Sequence, residues 1–319
     1  MKFLTFLKKF SLMVSLLVGT VFYLAFSRIP FLEPVGDAVG PVLQSMLPVV
    51  LFCLLYVTFC KIQIKEMRPR LWHFILQGIR ILMSGILVWL IVHTDDSDVK
   101  LVLEGVFICV ICPTAAAAPV VTEKLGGSIG SLTIYTIIAN VVTSIIIPLF
   151  FPMVERSADI SFLSAMLMVL RNVTTVLVLP LALALVSRKV IPGIVDRIRR
   201  QKNLGFYMWC FNLSIVTGVT VKSILASTVS GWILVLLLTL PLVVTLLQFS
   251  IGKLVGRPFG DSISAGQALG QKNTVVGIWL TITFLNPLAA VAPGAYVLWQ
   301  NMVNAWQLWY KDKYGYLKW

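Results

Sequence analysis

The sequence predicts an all-α integral membrane protein: ten transmembrane helices in two inverted five-helix repeats, with broken fourth and ninth helices that cross. Three observations carry this. The 319 residues are 58% hydrophobic and 12% charged, with a mean hydropathy of +0.93, whereas a soluble domain has about 25% charged residues. The basic residues fall almost wholly on one side once the apolar runs are threaded through a bilayer. The fourth and ninth runs are both interrupted, at corresponding places in the two halves.

A span needs about 20 mostly apolar residues. The segments that qualify are 8–26, 41–60, 72–93, 100–122, 128–151, 163–187, 204–226, 231–252, 262–284 and 287–309. With the N-terminus cytoplasmic, the inner segments hold Lys2, Lys8, Lys9, Lys61, Lys65, Arg68, Arg70, Lys124, Arg188, Lys189, Arg197, Arg199, Arg200, Lys202, Lys253, Arg257, Lys311, Lys313 and Lys318. The outer segments hold only Arg28, Lys100 and Arg156, and carry the acids Glu33, Asp37, Asp95, Asp96, Asp98, Glu155 and Asp159. This bias places both termini in the cytoplasm of a cell bounded by a plasma or inner membrane. The net charge of +13 therefore reports topology, and the expected partners are the lipid bilayer and a substrate, not nucleic acid. Trp306, Trp309, Tyr310, Tyr314, Tyr316 and Trp319 form an aromatic belt at the inner interface.

Spans one to five repeat weakly as spans six to ten, at an offset of about 155–160 residues. Five helices per half is odd, so the halves have opposite orientations, as in many secondary transporters. The repeats are 1–155 and 156–319. The N-terminus resembles a signal peptide, but removing it would break the pairing, so it is expected to be a retained first helix.

The fourth span reads LVLEGVFICVICPTAAAAPVVTEKLGG. Pro113 and Pro119 remove helix donors, and the small Ala115 to Ala118 between them permit close backbone approach. The ninth reads SISAGQALGQKNTVVGIWLTITF. Gly266 and Gly270 are expected to loosen it, ahead of the polar run Gln271, Lys272, Asn273 and Thr274. Matching interruptions point to a binding site where two half-helix N-termini meet and favour an anionic group.

Lys272 lies about ten residues from either end of its span, roughly 15 Å at 1.5 Å per residue, too deep for an easy reach to headgroups. Lys222 is nearer an interface. Arg80 and Arg171 are expected to reach headgroups or pair within the bundle. No intramembrane carboxylate is an evident partner for Lys272: Glu104 lies near the outer end of its span and Glu123 near the inner end.

At these residues the chain resembles the bile acid:sodium symporter family. The likeness rests on Cys112-Pro113 with Leu125-Gly126-Gly127, on Gly270-Gln271-Lys272-Asn273, and on Pro293-Gly294-Ala295 followed by Trp299, Gln300 and Asn301. It implies core and panel domains and sodium-coupled uptake of organic anions such as bile acids, steroid sulfates and small carboxylates. The family's ninth-helix pattern, Glu-x-Gly-x-Gln-Asn, has Ala268 and Lys272 at its two sodium-binding positions here, while Gly270 and Asn273 match. Its Ser-Asn ligands fall on Ala118 and Pro119, and a further Ser ligand near Leu132. The expected function is thus alternating-access transport of a small organic anion, sodium-independent, with Lys272 either replacing the coupling cation or meeting the substrate carboxylate. Facilitated, exchanging and proton-linked modes stay open.

The expected substrate site comprises Pro113, Thr114, Ala115, Ala116, Ala118, Pro119, Gly270, Gln271, Lys272, Asn273 and Thr274, with Thr136, Asn140 and Asn301 as further polar candidates. No metal ligands and no cofactor are expected. One alternative is soft-metal or metalloid efflux through Cys109 and Cys112, since thiolates suit soft ions. Another is a transporter-derived sensor. An enzyme is not expected: His73 and His93 sit at span ends, and no catalytic or phosphate-loop motif is present.

Overall fold

The computed structural model describes residues 10–155, 167, 171, 174–201, 203–226 and 230–317. Lys2, Lys8, Lys9, Arg156, Asp159, most of the expected span start at 163–173, Lys202, Lys318 and Trp319 lie outside the described residues. Among those described, the regular structure is helical: Ser11–Arg28 (α1), Glu33–Phe59 (α2), Leu71–Val92 (α3), Ser97–Ile111 (α4), Ala118–Leu125 (α5), Ile129–Val154 (α6), Leu179–Val190 (α7), Pro192–Arg200 (α8), Leu204–Leu225 (α9), Gly231–Gly256 (α10), Ser262–Gly270 (α11), Thr274–Phe284 (α12) and Val291–Tyr314 (α13). A π-helical turn, Thr174–Val178, leads into α7. Among the described residues six helices (α1, α2, α3, α6, α9 and α10) are long and apolar enough to cross a membrane by themselves.

Large apolar side chains are exposed along these helices, among them Val21, Phe22, Val49, Leu82, Trp89, Val235 and Val243. In water such continuous apolar surface would aggregate; in a bilayer it faces acyl chains. Polar side chains turn the other way. On α13, Gln300, Asn301, Asn304 and Gln307 are buried while Met302 and Trp306 are exposed. Hydrogen-bonding groups thus face protein, where partners exist, and apolar groups face lipid.

Helix α1 packs on α9, and α10 packs on α11, α13 and α4. Glycine allows the closest approaches, as expected where van der Waals contact drives helix association in lipid. A Cβ at Gly19 of α1 would lie 2.1 Å from the Ser214 carbonyl oxygen of α9. Gly266 corrects a sequence-based expectation. It does not loosen the ninth span, because α11 is regular through it. Its missing side chain makes room for Lys253, whose Cγ would be 2.6 Å from a Cβ there.

The segments read as cytoplasmic meet one another. Lys61 pairs with Glu123 at 3.1 Å, Lys124 donates to Asn203, and Lys311 donates to the Lys124 carbonyl at 2.8 Å. Arg70 pairs with Asp261 at 2.9 Å, which also accepts from Ser131 Oγ at 2.8 Å. Helix α8 lies in the basic segment read as inner, between the sixth and seventh apolar runs. It buries Val195, and its Arg199 and Arg188 of α7 both donate to the Cys60 carbonyl beyond α2. The segments read as outer also meet: Lys100 pairs with Glu155 at 3.3 Å, and Glu104 accepts from the Asn286 amide at 3.2 Å.

Candidate functional site

Helix α4 stops at Ile111 because Pro113 has no amide proton and forces Cys112 into an extended conformation, φ −51° and ψ 139°. Pro119 plays another part. It sits in the first turn of α5, where an amide proton would have no helical acceptor, so it starts a helix instead of breaking one. In the second half, α11 ends at Gly270 and Gln271 is extended, φ −91° and ψ 116°. Asn273 then caps α12, its side-chain oxygen accepting from the Val276 amide at 3.4 Å.

The two breaks are bound to each other. The Ala115 amide donates to the Gln271 carbonyl at 3.0 Å, and the Asn273 amide donates to the Pro113 carbonyl at 2.8 Å. Between these bonds Thr114 and Lys272 form an isolated antiparallel bridge. Non-helical backbone at this depth must find partners within the protein, and each break supplies them to the other.

The side chains continue the exchange. Lys272 is 2% exposed, and its Nζ donates to the carbonyls of Val110 at 2.9 Å and Cys112 at 3.2 Å. The ammonium therefore caps the end of α4, where carbonyl dipoles favour a cation, and does not reach for an interface. From the first break, Thr114 Oγ1 donates to the Ala268 carbonyl at 2.6 Å, near the end of α11. Tyr296 donates to the Gly270 carbonyl at 2.8 Å. Gln300 of α13 clasps the Lys272 backbone, accepting from its amide at 2.8 Å and donating to its carbonyl at 3.4 Å.

Arg80 of α3 is 3% exposed. It donates to the carbonyls of Ile111 at 3.2 Å, Cys112 at 3.4 Å and Ala139 at 3.0 Å, and to Thr143 Oγ1 at 2.7 Å. Of the two expectations for Arg80, headgroups or partners within the bundle, the structure shows the second. Arg80, Tyr296 and Gln300 were not among the expected site residues. The available signal was that Arg80 is one of four basic residues inside the apolar spans.

Pro113, Thr114, Ala115, Gln271, Lys272 and Asn273 meet directly at the bridge. Ala116, Ala118, Pro119, Gly270 and Thr274 flank it and are buried. Gln271 is 3% exposed and its Nε2 has no partner. The further candidates are tied to their own helices: Thr136 donates to the Leu132 carbonyl, Asn140 to Thr136 and Asn301 to Val297. Leu132 and Ala268 are buried apolar residues. Cys109 and Cys112 are buried free thiols, and among the described residues no group of three or more His, Cys, Asp or Glu is placed to hold a metal.

Thr114→Val keeps the side-chain shape and removes the donor to Ala268. It is expected to lower stability by about 1–3 kcal/mol, the cost of a buried unpaired carbonyl, while Thr114→Ser stays near native. Thermal unfolding of the two detergent-solubilised variants checks this.

Irregular backbone deep within an apolar helical bundle, in two segments that satisfy each other, marks this as a membrane transporter. A model of the SBF-like CPA transporter family, related to the bile acid:sodium symporters, matches residues 61–303, and the chain belongs to that family. The matched region contains both breaks, Arg80 and the Gln300 clasp. None of the curated proteins matches the chain.

Proposed function

We propose that the protein is a secondary transporter that moves a small organic anion by alternating access, without sodium, and with Lys272 standing where a coupling cation would bind. The reading includes ten spans in inverted repeats 1–155 and 156–319, both termini cytoplasmic, and the substrate's anionic group seated near the N-termini of α5 and α12.

The observation that supports it best is the setting of the Lys272 ammonium. It is buried, and backbone carbonyls from a broken helix end hold it. Oxygen ligands of this kind suit a hard cation, and a tethered amine takes them instead. At the positions that the resemblance assigns to sodium ligands, Ala118, Pro119, Leu132 and Ala268 offer no side-chain oxygen, which supports sodium independence. In this conformation Lys272 is turned toward carbonyls, which favours the cation-replacement role over direct contact with the substrate carboxylate.

Uptake of labelled bile acids, steroid sulfates and small carboxylates into proteoliposomes tests the proposal. Uptake is expected at equal rates in sodium, potassium and choline buffers. A strict sodium requirement would overturn it.

A further inference from the structure

We infer that the anion bound at this crossover carries two negative charges; the inference rests on the organic-anion reading of the same site and specifies its substrate class. Arg80 approaches from α3 and Lys272 from the break between α11 and α12, and both donate to the Cys112 carbonyl, at 3.4 and 3.2 Å. Two buried cations therefore share one oxygen.

The rest of the crossover does not cancel them. The half-helix ends contribute about −0.5 each at the C-termini of α4 and α11 and about +0.5 each at the N-termini of α5 and α12, a sum near zero. Among the described residues the acids of every ion pair lie elsewhere: Glu123 with Lys61, Asp261 with Arg70, Glu104 and Glu155 with Lys100, and Asp196 with Arg199. The thiols of Cys109 and Cys112 and the phenol of Tyr135, buried on α4, at its end and on α6, are neutral in their ordinary protonated forms at pH 7. Arg80 cannot shed its charge, because a guanidinium keeps its proton in proteins. Buried charge without a counter-charge is costly in protein and in lipid.

A ligand bearing two negative charges balances both cations without having to touch either. The unpartnered Gln271 Nε2, on the break beside Lys272, is a buried donor ready for such a ligand, next to the α12 N-terminus. The ligand class is a small organic dianion, with a dicarboxylate as the simplest member.

The test uses pairs matched in shape and differing by one charge: succinate and monomethyl succinate, phthalate and monomethyl phthalate, and a steroid disulfate and its monosulfate. Binding to the purified protein is read by thermal shift at constant ionic strength. At least one dianion is expected to bind tenfold or more tightly than its singly charged partner. Arg80→Gln and Lys272→Gln should each bring that ratio toward one, while Arg80→Lys preserves it. Where a glutamine variant does not fold, the wild-type pairs decide alone. Binding of singly charged members as tight as or tighter than that of the dianions overturns the inference and leaves the proposed function standing. Binding of no anion of either kind overturns both.

Discussion

Lys272→Met is expected to lower stability by about 3 kcal/mol and to cut anion uptake at least about a hundredfold. The change keeps an unbranched side chain one atom shorter and removes two bonds from an ammonium to the Val110 and Cys112 carbonyls. Hydrogen bonds to charged groups contribute about 1.5–3 kcal/mol each. Part of that sum is offset by relief of a buried charge, and 1.4 kcal/mol corresponds to a factor of ten. Thermal unfolding and proteoliposome uptake measure the two effects. A companion variant, Lys272→Ala, leaves space beside the freed carbonyls. Sodium chloride, and not choline chloride, should raise its melting temperature, with no such difference in the native protein. A methionine variant that melts and transports like the native protein would show that the ammonium does not hold the crossover together.

The second large effect is at Gly252 of α10. A Cβ there would lie 2.3 Å from the Ala265 carbonyl oxygen and 2.8 Å from the Gly266 Cα. Both are backbone atoms of α11, so no side-chain rotation relieves the clash. Gly252→Ala should therefore push α11 from α10, lower stability by about 1–3 kcal/mol, and reduce uptake through displacement of the Gln271–Asn273 segment. Gly78 of α3 is the control, since a Cβ there meets nothing within 4 Å. Gly78→Ala should stabilise by about 0.5–1 kcal/mol through the helix-interior preference for alanine. Melting temperatures that move in the same direction for both variants would contradict the packing account.

The two breaks were legible because each contradicts its surroundings. Pro113 cannot continue a helix, and the polar run from Gln271 to Thr274 does not belong in an apolar span, so both announce themselves locally. What each break binds was not legible. Thr114 meets Ala268 across 154 residues of chain, and Lys272 meets Val110 across 162. Arg80 illustrates the same limit. Its sequence neighbours give no hint of Ile111 or Ala139, which lie 31 and 59 residues away. Glycine misled in another way. Freedom to bend and freedom to be approached look identical in sequence, and Gly266 uses the second, under Lys253. Helix α8 escaped notice because its nine residues are too short and too basic to read as a span, although the buried Val195 shows that the segment packs.

The bridge between Thr114 and Lys272 also joins segments that are synthesised at different times. The ribosome completes the break at Pro113 long before the break at Gln271–Asn273. Arg80 lies earlier in the chain than the carbonyls of Ile111, Cys112 and Ala139, so those groups can be satisfied as soon as α6 is in place. The Val110 carbonyl and the Ala115 amide have their partners on Lys272 and Gln271. They lack those partners until residues 271 and 272 have been made. The first half is thus inserted incomplete, and the membrane-embedded fold closes only when its last broken helix docks.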